Sequence, residues 1–310
     1  MRKMNSHITI GKHVFKTGKI HAVRIKRSRK TIGNTAVIKL PNYRKKLDSE
    51  INVGDPVLIK LGYDGNFVEE FTGYVASVSP KSPLEIHCED ELWKLKQEQV
   101  SKSWKKTSLH EVLKYLVPNN QIECQDIEMS PFRLNKVNKA EALAKIKSDF
   151  GLDAFFRGSK LYVGFAYNEK DTPVVKFHFQ KNAQVHRLVY KKKESVKLKV
   201  KAISIMPNNT RIAVELGDKD GDQRTLHYYN KTAAALTLIA TEHIKQMKFD
   251  GYRGSFKTTG GFPFVDHSMI VQLQDDKYIN RAGSYFVDEV ITTYDENGWK
   301  RVTTVGKKAA

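Results

Sequence analysis

The residues with reactive chemistry are few, and their spacing supports little of it. Cys88 and Cys124 are the two cysteines, and either could in principle pair with one of the ten His as a thiolate–imidazole dyad. Cys88 sits at an alternating position of a β-like run, where a thiol packs as a small hydrophobe. No Gly-x-Ser-x-Gly elbow, His-Glu-x-x-His pair or phosphate-binding glycine loop occurs. Glu89, Asp90 and Glu91 are consecutive, so on one strand they point in different directions and cannot bracket a bond. Asp218, Asp220, Gly221 and Asp222 resemble a calcium loop, but the glycine is misplaced and the twelfth position is Tyr229 rather than a carboxylate. A polar hairpin turn accounts for them. No catalytic residue, metal site or cofactor is expected, and an enzyme is not the reading.

Charge is the unusual quantity. Across 310 residues, 53 Lys and Arg face 34 Asp and Glu, for a net charge of +19. Residues 1–50 hold 14 basic and 2 acidic side chains, whereas residues 51–100 hold 4 and 9. The densest basic patch is Arg24, Lys26, Arg27, Arg29 and Lys30. A second run, Lys191, Lys192 and Lys193 with Lys197, Lys199 and Lys201, alternates with Val196, Leu198 and Val200, as a solvated strand face does. The asymmetry points to a polyanion, an acidic protein surface or self-assembly through complementary patches. No helix-turn-helix, zinc-finger or RNA-recognition signature accompanies it. The alternative reading is therefore a cytoplasmic β-barrel protein that binds nucleic acid without sequence preference.

The elements that must position these residues are mostly strands. Residues 14–15, 20–25, 35–40, 53–61, 71–78 and 84–88 read as β-structure, with a tight hairpin at Asp64-Gly65. Ser108 with Glu111 opens a helix whose apolar positions are Leu109, Val112, Leu113 and Leu116. Asn138 with Glu141 opens another, closed by Gly151, and a hairpin follows over 154–163. Strands resume at 185–190, 195–205, 211–216 and 225–229, a helix covers 233–247, and 269–273, 284–290 and 299–305 are the last strands. The fold class expected is β-rich α+β. The organisation is a first tube-like β-barrel domain over 1–98, a small α/β insert over 99–173, and a second barrel with one helix over 174–310. Two cysteines exclude a disulfide scaffold and a zinc ribbon, and synthesis in a reducing cytoplasm is the expected setting. The basic N-terminus lacks the apolar stretch of a secretory signal. No uncharged apolar run approaches the ~20 residues of a membrane helix, so membrane insertion is not expected.

The two β-regions align on each other without a gap at an offset of 212 residues. Val53 falls on Val265, Val57 on Met269, Ile59 on Val271 and Leu61 on Leu273. Beyond the hairpin, Tyr74 falls on Phe286, Val75 on Val287 and Val78 on Val290. Parity alone aligns any two hairpins, but a register kept across the loop favours duplication. A chain with two like barrels presents six similar units as a trimer.

Several stretches resemble the late control protein D family, the baseplate hub of contractile-tailed phages, and the related hub part of type VI secretion spike proteins. They are residues 36–41 (AVIKLP), 53–59 (VGDPVLI), 71–75 (FTGYV) and 88–90 (CED). In the middle of the chain they are 142–146 (ALAKI), 150–153 (FGLD) and 161–164 (LYVG), and at its end 260–263 (GGFP), 283–287 (GSYFV), 298–301 (GWKR) and 305–306 (VG). The order of the motifs along nearly the whole chain carries the likeness. It implies two tube-type barrels per subunit and a homotrimer with a central channel, joining the six-fold tail tube to the three-fold spike. The implied partners are the tail tube protein, a separate spike protein, other baseplate proteins, and DNA passing through the channel unread. The implied place is the virion baseplate. Val57, Ile59, Leu61, Phe71, Tyr74, Val75, Phe286 and Val287 are the residues expected to supply barrel walls and contacts to neighbouring subunits, tube or spike. Gly54 and Gly73 are expected at tight turns or close backbone approaches.

Overall fold

The computed structural model describes residues 3–42, 47–129, 131–168, 170–206 and 210–309. The chain opens with β1 (Met4–Ile10), β2 (His13–Lys16), β3 (Ala22–Ser28), β4 (Thr35–Leu40), the short α1 (Leu47–Glu50), β5 (Pro56–Tyr63), β6 (Asn66–Ser79) and β7 (Leu84–Glu89). A mixed segment follows: α2 (Leu92–Gln97), β8 (Gln99–Trp104), α3 (Leu109–Leu116), β9 (Gln121–Cys124), β10 (Phe132–Asn138), α4 (Lys139–Phe150), β11 (Asp153–Arg157) and β12 (Lys160–Gly164). The last part holds β13 (Val174–His178), β14 (Gln184–Lys191), β15 (Leu198–Ile205), β16 (Arg211–Gly217), β17 (Asp222–Tyr229), α5 (Ala233–Met247), β18 (Gly251–Thr259), β19 (Ile270–Gln274), β20 (Gly283–Asp295) and β21 (Gly298–Lys308). The fold is β-rich α+β.

Local chemistry explains the boundaries. Asp64 and Gly65 both take positive φ, +50° and +84°, the requirement of a two-residue turn whose twist matches its strands. Ser108 and Glu111 form a reciprocal capping box at α3, and Asn138 and Glu141 form one at α4. Gly151 ends α4 in the left-handed conformation, where a Cβ would stand 2.3 Å from the Tyr228 ring.

Thirteen strands form one sheet in the order β14-β18-β21-β20-β3-β4-β7-β6-β5-β1-β2, with β19 also beside β20 and β13 beside β19. Within it the run β3-β4-β7-β6-β5-β1 and the run β14-β18-β21-β20-β19-β13 have one topology. Ranked along the chain, each reads second, third, sixth, fifth, fourth, first. Main-chain detail repeats as well. Gly54 N donates to Val75 O (2.8 Å) and Val75 N to Asp55 O (2.9 Å); Ser268 N donates to Val287 O (2.9 Å) and Val287 N to Met269 O (2.8 Å). Gly54 and Ser268 both have positive φ. Ladder bulges lie between Val75 and Ser77 and between Val287 and Glu289.

The offset of 212 therefore holds on β6 and β20. On the preceding strand it is 214, because Gly54 corresponds to Ser268. Val57 then matches Val271 and Ile59 matches Leu273, which corrects the pairing of Val57 with Met269, of Ile59 with Val271 and of Leu61 with Leu273. A slip of two residues keeps every side chain on its face, so alternation could not reveal it. The repeats also differ: β1 runs antiparallel to β5, but β13 runs parallel to β19.

Four cores result. The first lies inside the β1–β7 barrel and takes Tyr294 and Trp299 from the last hairpin. The second joins α3, α4 and β11–β12, and the third fills the second barrel around Phe177, Phe256, Tyr285 and Val287. The fourth packs Leu236 and Ala240 of α5 on Leu198, Val200 and Ala202 of the separate β16-β15-β17 sheet. The span 174–310 thus carries an extra α/β layer, inserted between the second and third strands of its barrel.

Candidate functional site

The seam between the two barrels is built on the basic run. Val23 and Ile25 enter the first core while Arg24 and Lys26 face outward, as alternation requires. After Lys26 the pattern changes, and Arg27, Ser28 and Arg29 are all buried. Here β3 lies along β20, pairing antiparallel from Glu289–Ser28 to Tyr294–Val23, and Arg29 N continues the contact to Asp288 O (3.0 Å).

The buried charges beneath this ladder pair with one another. Arg27 donates to Glu70 O (2.8 Å) and to Glu70 Oε2 (3.3 Å), and its Nε lies 3.0 Å from Asp266 Oδ1. Arg301 donates to the other Glu70 oxygen and to Gly261 O. The Glu70 and Arg301 side chains are fully buried. Both guanidiniums lie over the Phe264 ring, at 5.3 and 5.0 Å. Burial pulls the Arg301 guanidinium below its ordinary pKa, and Glu70 opposes that shift. Glu70 comes from the first barrel, and Arg301 and Asp266 from the second, so the network ties the two halves. On its flank Arg29 pairs with Asp153 (2.9 Å) and stacks on Tyr167 (4.1 Å), while Lys30 pairs with Asp288 (2.8 Å). His267 lies edge-on to Phe155, ring centres 5.0 Å apart, and burial pushes it down to about 4.

The predicted basic patch is therefore not one patch. Arg24, Lys26 and Lys30 reach solvent, but Arg27 and Arg29 are interior ions. The predicted contact residues also move. Val57, Ile59, Leu61, Phe71 and Val75 fill the first core and Val287 the second, which corrects their assignment as contacts: these side chains are enclosed by their own barrel walls. Tyr74 is half-buried, stacked on Trp93 at 5.4 Å beneath Lys94, and Phe286 packs on Tyr167 at 5.2 Å.

One exposed edge of the sheet lies elsewhere, besides the ends at β2 and β13. β14 ends the strand order, and its Val185 and Val189 are 60% and 55% exposed. Sequence reading placed the strand but missed the edge. Its one sign is that His186 and Arg187 interrupt the apolar alternation.

The reactive groups singled out in the sequence take the following partners. Cys124 Sγ lies 3.7 Å from His110 Nδ1, and burial, with Asp126 nearby, raises the thiol pKa. Cys88 is pushed up to about 12 by burial. Asp90 is buried, accepts from Asn34 N (2.8 Å) and Leu92 N (3.1 Å), and is raised to about 6 by desolvation. Glu89 pairs with Lys96 and Glu91 with Lys94. The 218–222 turn engages lysines: Asp220 with Lys197 and Asp218 with Lys248. Among the described residues no group of three or more His, Cys, Asp or Glu could hold a metal ion, and no helix is long and apolar enough to cross a membrane. A cavity of about 850 Å³ opens between α4, α5 and the second barrel, lined by Phe150, Leu238, His243, Phe249 and Arg253 among others.

No protein-family model and no curated protein matches the sequence. Solved structures do match in fold. A tail protein from Neisseria meningitidis MC58 is 12% identical with a TM-score of 0.68, covering 98% of this chain and 96% of that one. The 43 kDa tail protein of prophage MuSo2 from Shewanella oneidensis is 13% identical with a TM-score of 0.65, covering 98% of each. An Escherichia coli component of the type VI secretion system, described as structurally similar to the T4 bacteriophage tail proteins gp27 and gp5, is 8% identical with a TM-score of 0.61, covering 98% of this chain and 79% of that one. Along nearly its whole length, this chain has the fold of phage tail proteins and of that secretion-system component.

Proposed function

We propose that this protein is the structural baseplate hub of a contractile phage tail or related injection machine. Three copies form a ring around a central channel and adapt the six-fold tail tube to the three-fold spike. In this reading residues 1–98 and 174–310 are the two tube-type units and 99–173 the insert between them. The partners are the tail tube protein, a separate spike protein and other baseplate proteins, and DNA passes through the channel unread. The chain is made in the host bacterial cytoplasm and resides in the virion baseplate. The role is mechanical rather than catalytic.

One observation carries the proposal. Two six-strand units of one topology lie side by side in a single sheet, so a trimer offers six near-equivalent faces. Native mass spectrometry of the purified chain should give a trimer, and negative-stain images a ring with a hole. A stable monomer or dimer across the micromolar range overturns the proposal. Nucleic-acid binding as the main role loses its centre, because two cations of the densest run are buried and paired. Filter binding should show weak DNA retention, lost as salt rises; tight retention at physiological salt would restore that reading.

A further inference from the structure

The seam inside one chain specifies the seam between two. Following directly opposed partners outward from the matched valines gives the same path in each unit. In the first, Val75 faces Cys88, Cys88 faces Ala36, and Ala36 faces Ile25. In the second, Val287 faces Val305, Val305 faces Gly254, and Gly254 faces Leu188. Ile25 on β3 therefore corresponds to Leu188 on β14, and β14 is the strand of the second unit that β3 is of the first. But β3 lies against β20, whereas β14 has β18 on one side and ends the sheet. The counterpart of β20 is β6. Its end, Ser77 to Ser79, pairs with β7, while its ladder with β5 stops at Tyr74.

We infer that β14 of one copy adds to the end of β6 of a second copy, repeating the β3–β20 ladder between chains. The inference rests on the trimer reading and names its interface. Glu289–Ser28, Val290–Arg27 and Ile291–Lys26 are opposed within the chain. Their counterparts are Ser77 opposite Lys191, Val78 opposite Tyr190, and Ser79 opposite Val189 of the neighbour. The bond from Arg29 N to Asp288 O has its counterpart in Lys192 N donating to Ala76 O. The ladder stops at Pro80, which has no N–H and stands where Thr292 continues the internal seam.

Exposure and charge agree with this placement. Val189, inside the paired stretch, is an apolar side chain left 55% exposed on an uncovered edge strand, the arrangement that another strand completes. The donating strand runs into Lys191, Lys192 and Lys193, and the receiving strand lies in the acidic stretch 51–100. The contact is head-to-tail, joining β14 of one copy to β6 of the next, so a repeated rotation closes a ring. Because the inner and outer seams share one geometry, three chains turn through six near-equal steps.

The test is a disulfide at the predicted register. Directly opposed residues place Cα atoms about 4.5–5.5 Å apart, within disulfide reach. In a Cys124→Ser background, Ser77→Cys with Lys191→Cys should oxidise to a covalent trimer that reductant returns to monomer. The displaced pair Ser77→Cys with Val185→Cys should link about tenfold less. Val189→Glu, at an exposed position, should leave the monomer's melting temperature unchanged and weaken the trimer at least about tenfold, which is ~1.4 kcal/mol. If native mass spectrometry shows a trimer but the opposed pair links no better than the displaced pair, or Val189→Glu leaves the trimer intact, the pairing is overturned and the hub reading stands. A monomer at every concentration overturns both.

Discussion

Glu70 shows how far a residue's role can lie from its local sequence. In the run Glu69-Glu70 it reads as one more charge on an acidic hairpin. In the fold it is enclosed between Arg27 and Arg301 from opposite sides of the seam. Glu70→Ala would leave two guanidiniums buried without their shared carboxylate, at a cost of about 3–5 kcal/mol in denaturant unfolding. Val75, with no exposed surface, is a simpler case: Val75→Asp buries an unpaired charge and should cost several kcal/mol, and an unchanged thermal melt would show the site is not core.

Two buried titrating groups set opposing pH dependences. Asp90 has its pKa raised from 3.8 to about 6, so the folded chain holds a proton that the unfolded chain has lost. Its contribution is complete below about pH 4 and is lost as pH rises through 6, on the order of 3 kcal/mol. His267 is lowered from 6.5 to about 4, so the unfolded chain takes up the proton first. Stability from this group is complete above 6.5 and is lost as pH falls towards 4, by a similar amount. The wild type should therefore be nearly flat between pH 4 and 6.5. Asp90→Asn should become steadily more stable as pH rises across that window, which thermal melts in a buffer series would show.

At the scale of elements, turns and caps were legible and unpatterned strands were not. The Asp64-Gly65 turn, both capping boxes and the Gly151 cap stand where residue type demands them. The glycines of the first barrel serve two purposes. Gly54 has a φ of +91°, whereas a Cβ on Gly73 would stand 2.2 Å from Glu89 O of the adjoining strand. Gly73→Ala should force that ladder apart and cost about 1–3 kcal/mol. Gly65→Ala, in open space at positive φ, should cost only about 1 kcal/mol, and chemical denaturation would rank the two. β8 and β10 escaped sequence reading because neither alternates cleanly and their pairing is interrupted between Leu134 and Val137. β18 carries Gly251 and Gly254, residues that weaken a strand pattern. In the fold Gly254 sits at positive φ where a Cβ would meet Arg187 O at 1.8 Å.

At the scale of the molecule, the net charge of +19 pointed outward, and the fold turned part of it inward. Arg27 and Arg29 bind the two barrels and the insert, while Lys197, Lys199 and Lys201 pair with Asp220 and Glu215 on the outer side of β15. The two units share one topology, and β14 ends the strand order of the sheet.

Length, alternation, caps and turns determined that this chain would be β-rich and twofold repeated, because those signals depend on neighbours a few residues away. Tertiary structure decided which strands lie side by side, that the repeat slips by two residues, and that the densest basic run is half interior. Those outcomes depend on contacts between residues such as Arg27 and Glu70, or Glu70 and Arg301, far apart in the chain. A side chain's exposure is set by what the rest of the chain brings to it, and no local window carries that information.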